Sequence, residues 1–133
     1  MVDWKNYAPI IIRYSLVAVF LSFGAMQLTN VESWTAYLPE FAWKLPISAN
    51  ALIIMNALFE IVAGIMLAIG IFVRPIAILL GLHLAAITIS LGFNEVAVRD
   101  FGLTMATFTI AANGADDWCL EKKWNKKDTL LKY

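Results

Sequence analysis

Residues 53–70 read IIMNALFEIVAGIMLAIG, an apolar run with one carboxylate, Glu60, near its middle. The run has about the length a helix needs to cross the hydrocarbon core of a bilayer. A charge at that depth costs about 2.5–3.5 kcal/mol on insertion scales. Glu60 is therefore neutral or paired, or the stretch is no membrane span. Composition decides for the span. Of the 133 residues, 61% are hydrophobic and 15% charged, with a mean hydropathy of +0.73, whereas a soluble domain is about half apolar and a quarter charged. The chain reads as an integral membrane protein with room for a few spans and no separate soluble domain.

Outward from this run, apolar stretches lie at about 9–29, 47–72, 75–93 and 98–115, each roughly of spanning length. They predict an all-α fold, an integral membrane four-helix bundle over residues 1–115, followed by a basic cytoplasmic tail at 116–133. Arg13 falls inside the first stretch and no small-residue cleavage pattern follows it, so that stretch is expected as a retained helix and not a signal peptide. The second and third stretches are separated only by FVRPI, with Arg74 at the boundary and Pro75 suited to a first helical turn. So short a turn makes these helices antiparallel neighbours. Between the first and second stretches lies NVESWTAYLPEFAWKLP, too polar to cross, broken by Pro39 and Pro46 and rich in amphipathic aromatic rings. It is expected as a short interfacial segment across one mouth of the bundle.

With four crossings, Lys5, Arg13, Arg74, Lys122, Lys123, Lys126, Lys127 and Lys132 fall on one side, and only Lys44 and Arg99 on the other. The positive-inside rule then puts both termini in the cytoplasm of a multi-pass cell-membrane protein. The tail, with Trp118, Trp124 and Leu131 among its lysines, is suited either to lying on anionic headgroups or to standing in solvent. A net charge of zero gives no case for a nucleic-acid partner. The lone Cys119 excludes an internal disulfide and a CxxC centre, and reads as a small residue near the membrane surface.

Depth and helical spacing select the polar residues that face inward. Glu60 and the single histidine, His83, fall near the midplane of neighbouring helices. Asn56, Ala57, Ala63 and Gly64 share a face with Glu60, and Ala86, Ser90 and Asn94 share one with His83. Small and polar residues of this kind let membrane helices approach and bond across their interface. Helix one presents Arg13, Phe20, Gly24 and Gln27, and helix four presents Asp100, Thr104, Thr107, Ala111 and Gly114. Two polar zones are expected: Glu60 with His83 at mid-depth, and Arg99 with Asp100 at the outer end near Gln27. Glu60 and His83 are the candidates for proton chemistry. A single histidine excludes bis-histidine haem, the Glu–His pair is short of ligands for a metal, and no phosphate loop or nucleophile triad is present.

RYSLVAVFLSFGAMQL, FEIVAGIMLAIGIFVRPIA and RDFGLTMATFTIA, in this order, resemble the DoxX-like family of small four-span membrane proteins. The resemblance runs to about Gly114 and implies a four-helix bundle. The family takes its name from a membrane subunit associated with quinol oxidase and with thiosulfate:quinone oxidoreductase, but it is functionally mixed and is similar also to eukaryotic four-span chaperones and cargo receptors, so the resemblance alone fixes no activity. The family positions matched here are Arg13, Glu60, Arg74, Arg99 and Asp100. Gln27 stands where the family usually has a basic residue, and His83 is no family feature. The expected function is a quinone-linked membrane subunit, with Asn56, Glu60, His83, Arg99, Asp100 and Gln27 around the quinone head group and a redox partner supplying electrons. The alternatives are an accessory subunit that stabilises a larger membrane complex, with Glu60 and His83 only fixing helix register, and a small carrier or proton pathway.

Overall fold

The computed structural model describes residues 3–130 and is all-α, with no strand among them. Four long helices make the body: α1 (Ala8–Thr29), α3 (Ala49–Ile69), α4 (Val73–Leu91) and α5 (Glu95–Asn113). A one-turn α2 (Val31–Trp34) follows α1, and α6 (Leu120–Leu130) follows α5. Local sequence sets the ends. Pro9 opens α1, the Ser48 hydroxyl accepts from the Ala51 amide to cap α3, and the Asn94 side chain accepts from the Ala97 amide to cap α5. Gly70 ends α3 in the left-handed conformation that only glycine adopts without strain.

Three helical stretches, Trp4–Thr29, Ala49–Ile69 and Val73–Leu91, are long and apolar enough to cross a membrane. The fourth expected stretch is α5, equal to α4 in length but carrying Glu95, Arg99 and Asp100 in its first turns, and it falls outside that group. It packs as the fourth member of the bundle. α1 lies most extensively against α3 and α4 against α5, with smaller contacts joining the two pairs. Small residues set the close approaches. A Cβ on Gly24 of α1 would lie 2.5 Å from the Ile61 side chain and 3.0 Å from the Ala57 carbonyl oxygen of α3. One on Gly81 of α4 would lie 2.7 Å from the Phe108 ring of α5. The core between the pairs is apolar, built on Phe20, Leu16, Leu67, Val73, Leu80 and Ile110.

The segment between α1 and α3 is α2 and two 3-10 turns, Thr35–Tyr37 and Glu40–Lys44, the second starting after Pro39. Its Trp34 ring meets Phe23 of α1 edge-on at 5.8 Å, while Tyr37, Phe41 and Trp43 are exposed. It covers one end of the bundle. The opposite end is tied by residues that the sequence reads as the start of a tail. Asp116 and Cys119 are buried, because an arginine inside the bundle needs a counter-charge and the chain leaving α5 supplies it. Arg13 donates from Nε and Nη2 to the two Asp116 carboxylate oxygens at 2.7 and 3.0 Å, and from Nη1 to the Leu67 and Ala68 carbonyls at 2.6 and 3.0 Å. Those carbonyls belong to the last turn of α3 and have no partner within the helix. Glu121 completes the tie. Its amide donates to the Gly70 carbonyl at 3.0 Å, and its carboxylate accepts from the Val73 amide at 3.1 Å.

Cys119 is thus buried against Gly70, just beyond the end of α3, and burial pushes its thiol up from the ordinary value. In α6, Trp124 and the lysines remain exposed. Leu131 and Lys132 lie outside the described residues.

Replacing Asp116 by alanine strands the Arg13 guanidinium and should lower stability by about 3–5 kcal/mol, read as thermal unfolding in detergent at neutral pH. Acid should act in the same direction. Burial pushes the Asp116 carboxyl up, but the Arg13 hydrogen bonds, the Trp118 amide and the Arg13 charge outweigh it and hold it below its ordinary value. A carboxyl lowered on folding contributes stability that is complete above its unfolded pKa of about 3.9 and is lost as pH falls through the folded value. The wild-type melting temperature should therefore hold down to about pH 5 and drop below about pH 4. Asp116→Asn should lose that acid-dependent part; the same acid slope in both proteins would refute the coupling.

Candidate functional site

Glu60 sits in the middle turns of α3 and is 4% exposed. Asn56, one turn earlier, shares its face, and the close approach at Gly24 brings Gln27 of α1 alongside. The three side chains close a triangle. Gln27 Nε2 donates to Glu60 Oε2 at 3.1 Å, Asn56 Nδ2 donates to Glu60 Oε1 at 3.1 Å, and Asn56 Nδ2 also donates to Gln27 Oε1 at 2.8 Å. Across the seam, His83 Nε2 of α4 lies 3.5 Å from Glu60 Oε1 without a hydrogen bond. Among the described residues it is the buried side-chain polar atom left without a partner. Phe59 meets the imidazole edge-on at 5.0 Å and fixes its plane.

Asp100, in the second turn of α5, is buried, and Arg99 beside it is half-exposed. Arg99 donates from Nε to Asp100 Oδ1 at 2.9 Å, and its guanidinium lies 5.3 Å from the centre of the Phe23 ring. Glu60 and Gln27 line one cavity of about 140 Å³ together with Arg99 and Asp100, while His83, expected in the same zone as Glu60, lines the larger cavity beside it. Phe23, Trp34 and Tyr37 complete its walls. Trp34 and Tyr37 stand out in sequence only as interfacial aromatics, and nothing in their spacing ties them to Glu60. A second cavity of about 310 Å³ lies under the interfacial segment and shares Gln27, Trp34, Tyr37 and Ile87 with the first.

The inward faces read for α1, α3 and α5 hold: Arg13, Phe20, Gly24 and Gln27, then Ala57, Glu60, Ala63 and Gly64, then Asp100, Thr104 and Thr107 are buried. The α4 face differs. Ala86, Ser90 and Asn94 are exposed and His83 is only partly buried. Close packing of Gly81 on Phe108 turns Ala77, Leu80, Gly81 and Leu84 toward the core, which leaves the His83–Ala86–Ser90 face at an open seam. Arg74 stands apart from the site, against Gly114 at the far end of the bundle. Arg13 is likewise taken up by the tie at that end. Neither reaches the cavity.

The chemistry available is that of a buried carboxylate with two amide donors, an imidazole nitrogen within 3.5 Å, and a guanidinium–carboxylate pair across a small cavity with aromatic walls. This is a small helical membrane protein with a polar site enclosed between its helices. The family model described as DoxX matches residues 8–93, and the chain belongs to that family. The match covers α1 to α4, so Arg13, Glu60 and Arg74 fall inside it and Arg99 and Asp100 beyond it. No curated protein and no solved structure matched the chain.

Glu60→Ala removes the acceptor of the buried Gln27 amide and the partly buried Asn56 amide and should cost about 1–3 kcal/mol. Glu60→Gln keeps one acceptor oxygen and should cost about 0.5–1.5 kcal/mol. Thermal unfolding of the two variants gives the order, and an equal or reversed loss would show that the amide contacts contribute nothing to the bundle.

Proposed function

We propose that this DoxX-family protein is a quinone-linked membrane subunit in which a quinone head group is held against Glu60 and His83. The chain crosses the membrane four times with both termini cytoplasmic. Lys5, Arg13, Arg74 and the lysines of α6 gather where Arg13 meets Asp116, whereas Lys44 and Arg99 belong to the end under the aromatic segment. The observation that carries the reading is the unpartnered His83 Nε2 beside the buried Glu60, on a cavity wall. A polar atom so placed costs about 1–3 kcal/mol while it lacks a partner, and a ligand oxygen supplies one.

The residues suit such a head group. Asn56 and Gln27 orient the Glu60 carboxylate, Arg99 has donors beyond those used on Asp100, and Trp34 and Tyr37 offer faces for a planar ring. Quinone reduction consumes protons along with electrons. Glu60 and His83 hold and pass the protons, and Asp100 and Arg99 set the polar entrance by which Glu60 is reprotonated. The electrons come from a redox partner, since this chain has no haem pair or dithiol of its own.

Native mass spectrometry of gently extracted protein should detect bound quinone. Glu60→Gln and His83→Ala should each lower its occupancy about tenfold and abolish quinone reduction by the co-extracted complex, with helical content unchanged by circular dichroism. Full occupancy and turnover in both variants would sink the reading and favour an accessory subunit in which Glu60 and His83 only set helix register.

A further inference from the structure

The larger cavity has a shape and lining that the head-group site does not need. It is about 310 Å³, more than twice the volume of the cavity holding Arg99 and Asp100, and its walls are mainly apolar, with Leu52, Ile53 and Ile87 facing Leu38 and Phe41 of the interfacial segment. Its polar groups are few and sit together. Gln27, Asn56 and His83 stand where it adjoins the smaller cavity, and Ser90 stands toward its rim. Its side wall is the seam between α3 and α4. These helices are tied at the Gly70 turn by Glu121 and otherwise touch each other much less than either touches its main partner, and Ala86 and Ser90 are exposed beside the cavity. Those two residues lie in the last turns of a helix apolar enough to cross a membrane. With α4 crossing the bilayer, Ala86 lies about 7 Å inside its end, at the edge of the hydrocarbon, and Ser90 lies at the level of the headgroups.

From this we infer that the larger cavity seats the apolar chain of a lipid-soluble quinone, which enters sideways from the bilayer between α3 and α4 at Ala86 and Ser90. The inference rests on the quinone reading for the nature of the head and adds the nature of the chain and the direction of entry. The head then meets Glu60 and His83 first, because Asn56 and His83 stand on either side of the passage, and the chain remains in the seam. Phe41 and Leu38 roof the chain from the surface. A short water-soluble quinone gains nothing from this cavity. A chain-bearing one exchanges lipid for protein walls of similar polarity and keeps its end in the bilayer.

The test uses the full chain in lipid nanodiscs, with a tail-less benzoquinone and its decyl derivative as probes. Ala86→Trp fills the passage from an exposed position, Ser90→Trp does so one turn away, and Leu79→Trp places the same ring on an exposed part of α4 away from the cavity. The expected result is a loss of about tenfold or more in affinity for the decyl probe in the first two variants, with the tail-less probe and the Leu79→Trp control within about twofold of wild type. If the first two variants leave the decyl probe unchanged, or weaken both probes equally, the chain does not lie in this cavity, while the head-group site stands. If the wild type binds neither probe, the quinone reading itself falls and this inference with it.

Discussion

Arg13 carries a permanent charge and a fork of N–H donors into an apolar bundle, and water is not there to satisfy them. It makes four hydrogen bonds: two to Asp116 and two to the last carbonyls of α3. The same set answers three needs. It neutralises the charge, it closes carbonyls that a helix end leaves open, and it places a cation at the negative end of the α3 dipole. Because the partners come from α3 and from the chain beyond α5, satisfying one side chain binds α1, α3 and the α5–α6 connection into one unit. Gly70 and Cys119 pack inside that unit, and the Glu121 carboxylate caps the first turn of α4.

The opposite end is built on a different balance. Glu60 is paired with neutral amides, with Gln27 at a position where the family resemblance calls for a basic residue. No cation closes the triangle. Its nearest titratable neighbour, His83, stands just beyond hydrogen-bond reach. α4 has committed its small-residue face to α5, so the seam with α3 stays open beneath the aromatic segment. One end holds the fold and the other holds the cavities.

Much of this was legible in the sequence, and the parts that were not have physical reasons. Helical spacing around Glu60, Gln27 and Asp100 marked the inward faces because small and polar residues recur there at three- and four-residue steps within otherwise apolar helices. The same spacing misread Ala86 and Ser90, since small residues suit a packed helix face and a cavity wall equally. Only the position of the Phe108 ring against Gly81 decides which face α4 turns inward. The merging of the Glu60 and Arg99 zones into one cavity depends on how far α1 and α5 converge, which no pattern within one helix records. Asp116 was the avoidable miss. A buried arginine implies an acidic partner at matching depth, and the DD pair that follows the end of α5 lies level with Arg13 once the helices are counted antiparallel.

The contrast between the two polar centres bears on function. In a medium where unsatisfied groups are expensive, a structure that gives Arg13 four hydrogen bonds and yet leaves His83 Nε2 without a partner holds a free contact in reserve at one place. The tie at the far end does not move with that contact, because it shares no side chain with it. A group that binds beside Glu60 can therefore form its hydrogen bond to His83 without breaking any contact of that tie. Such a division suits a site whose contacts are made and broken, since the side chains around Glu60 and His83 can change partners while Arg13 and Asp116 keep theirs.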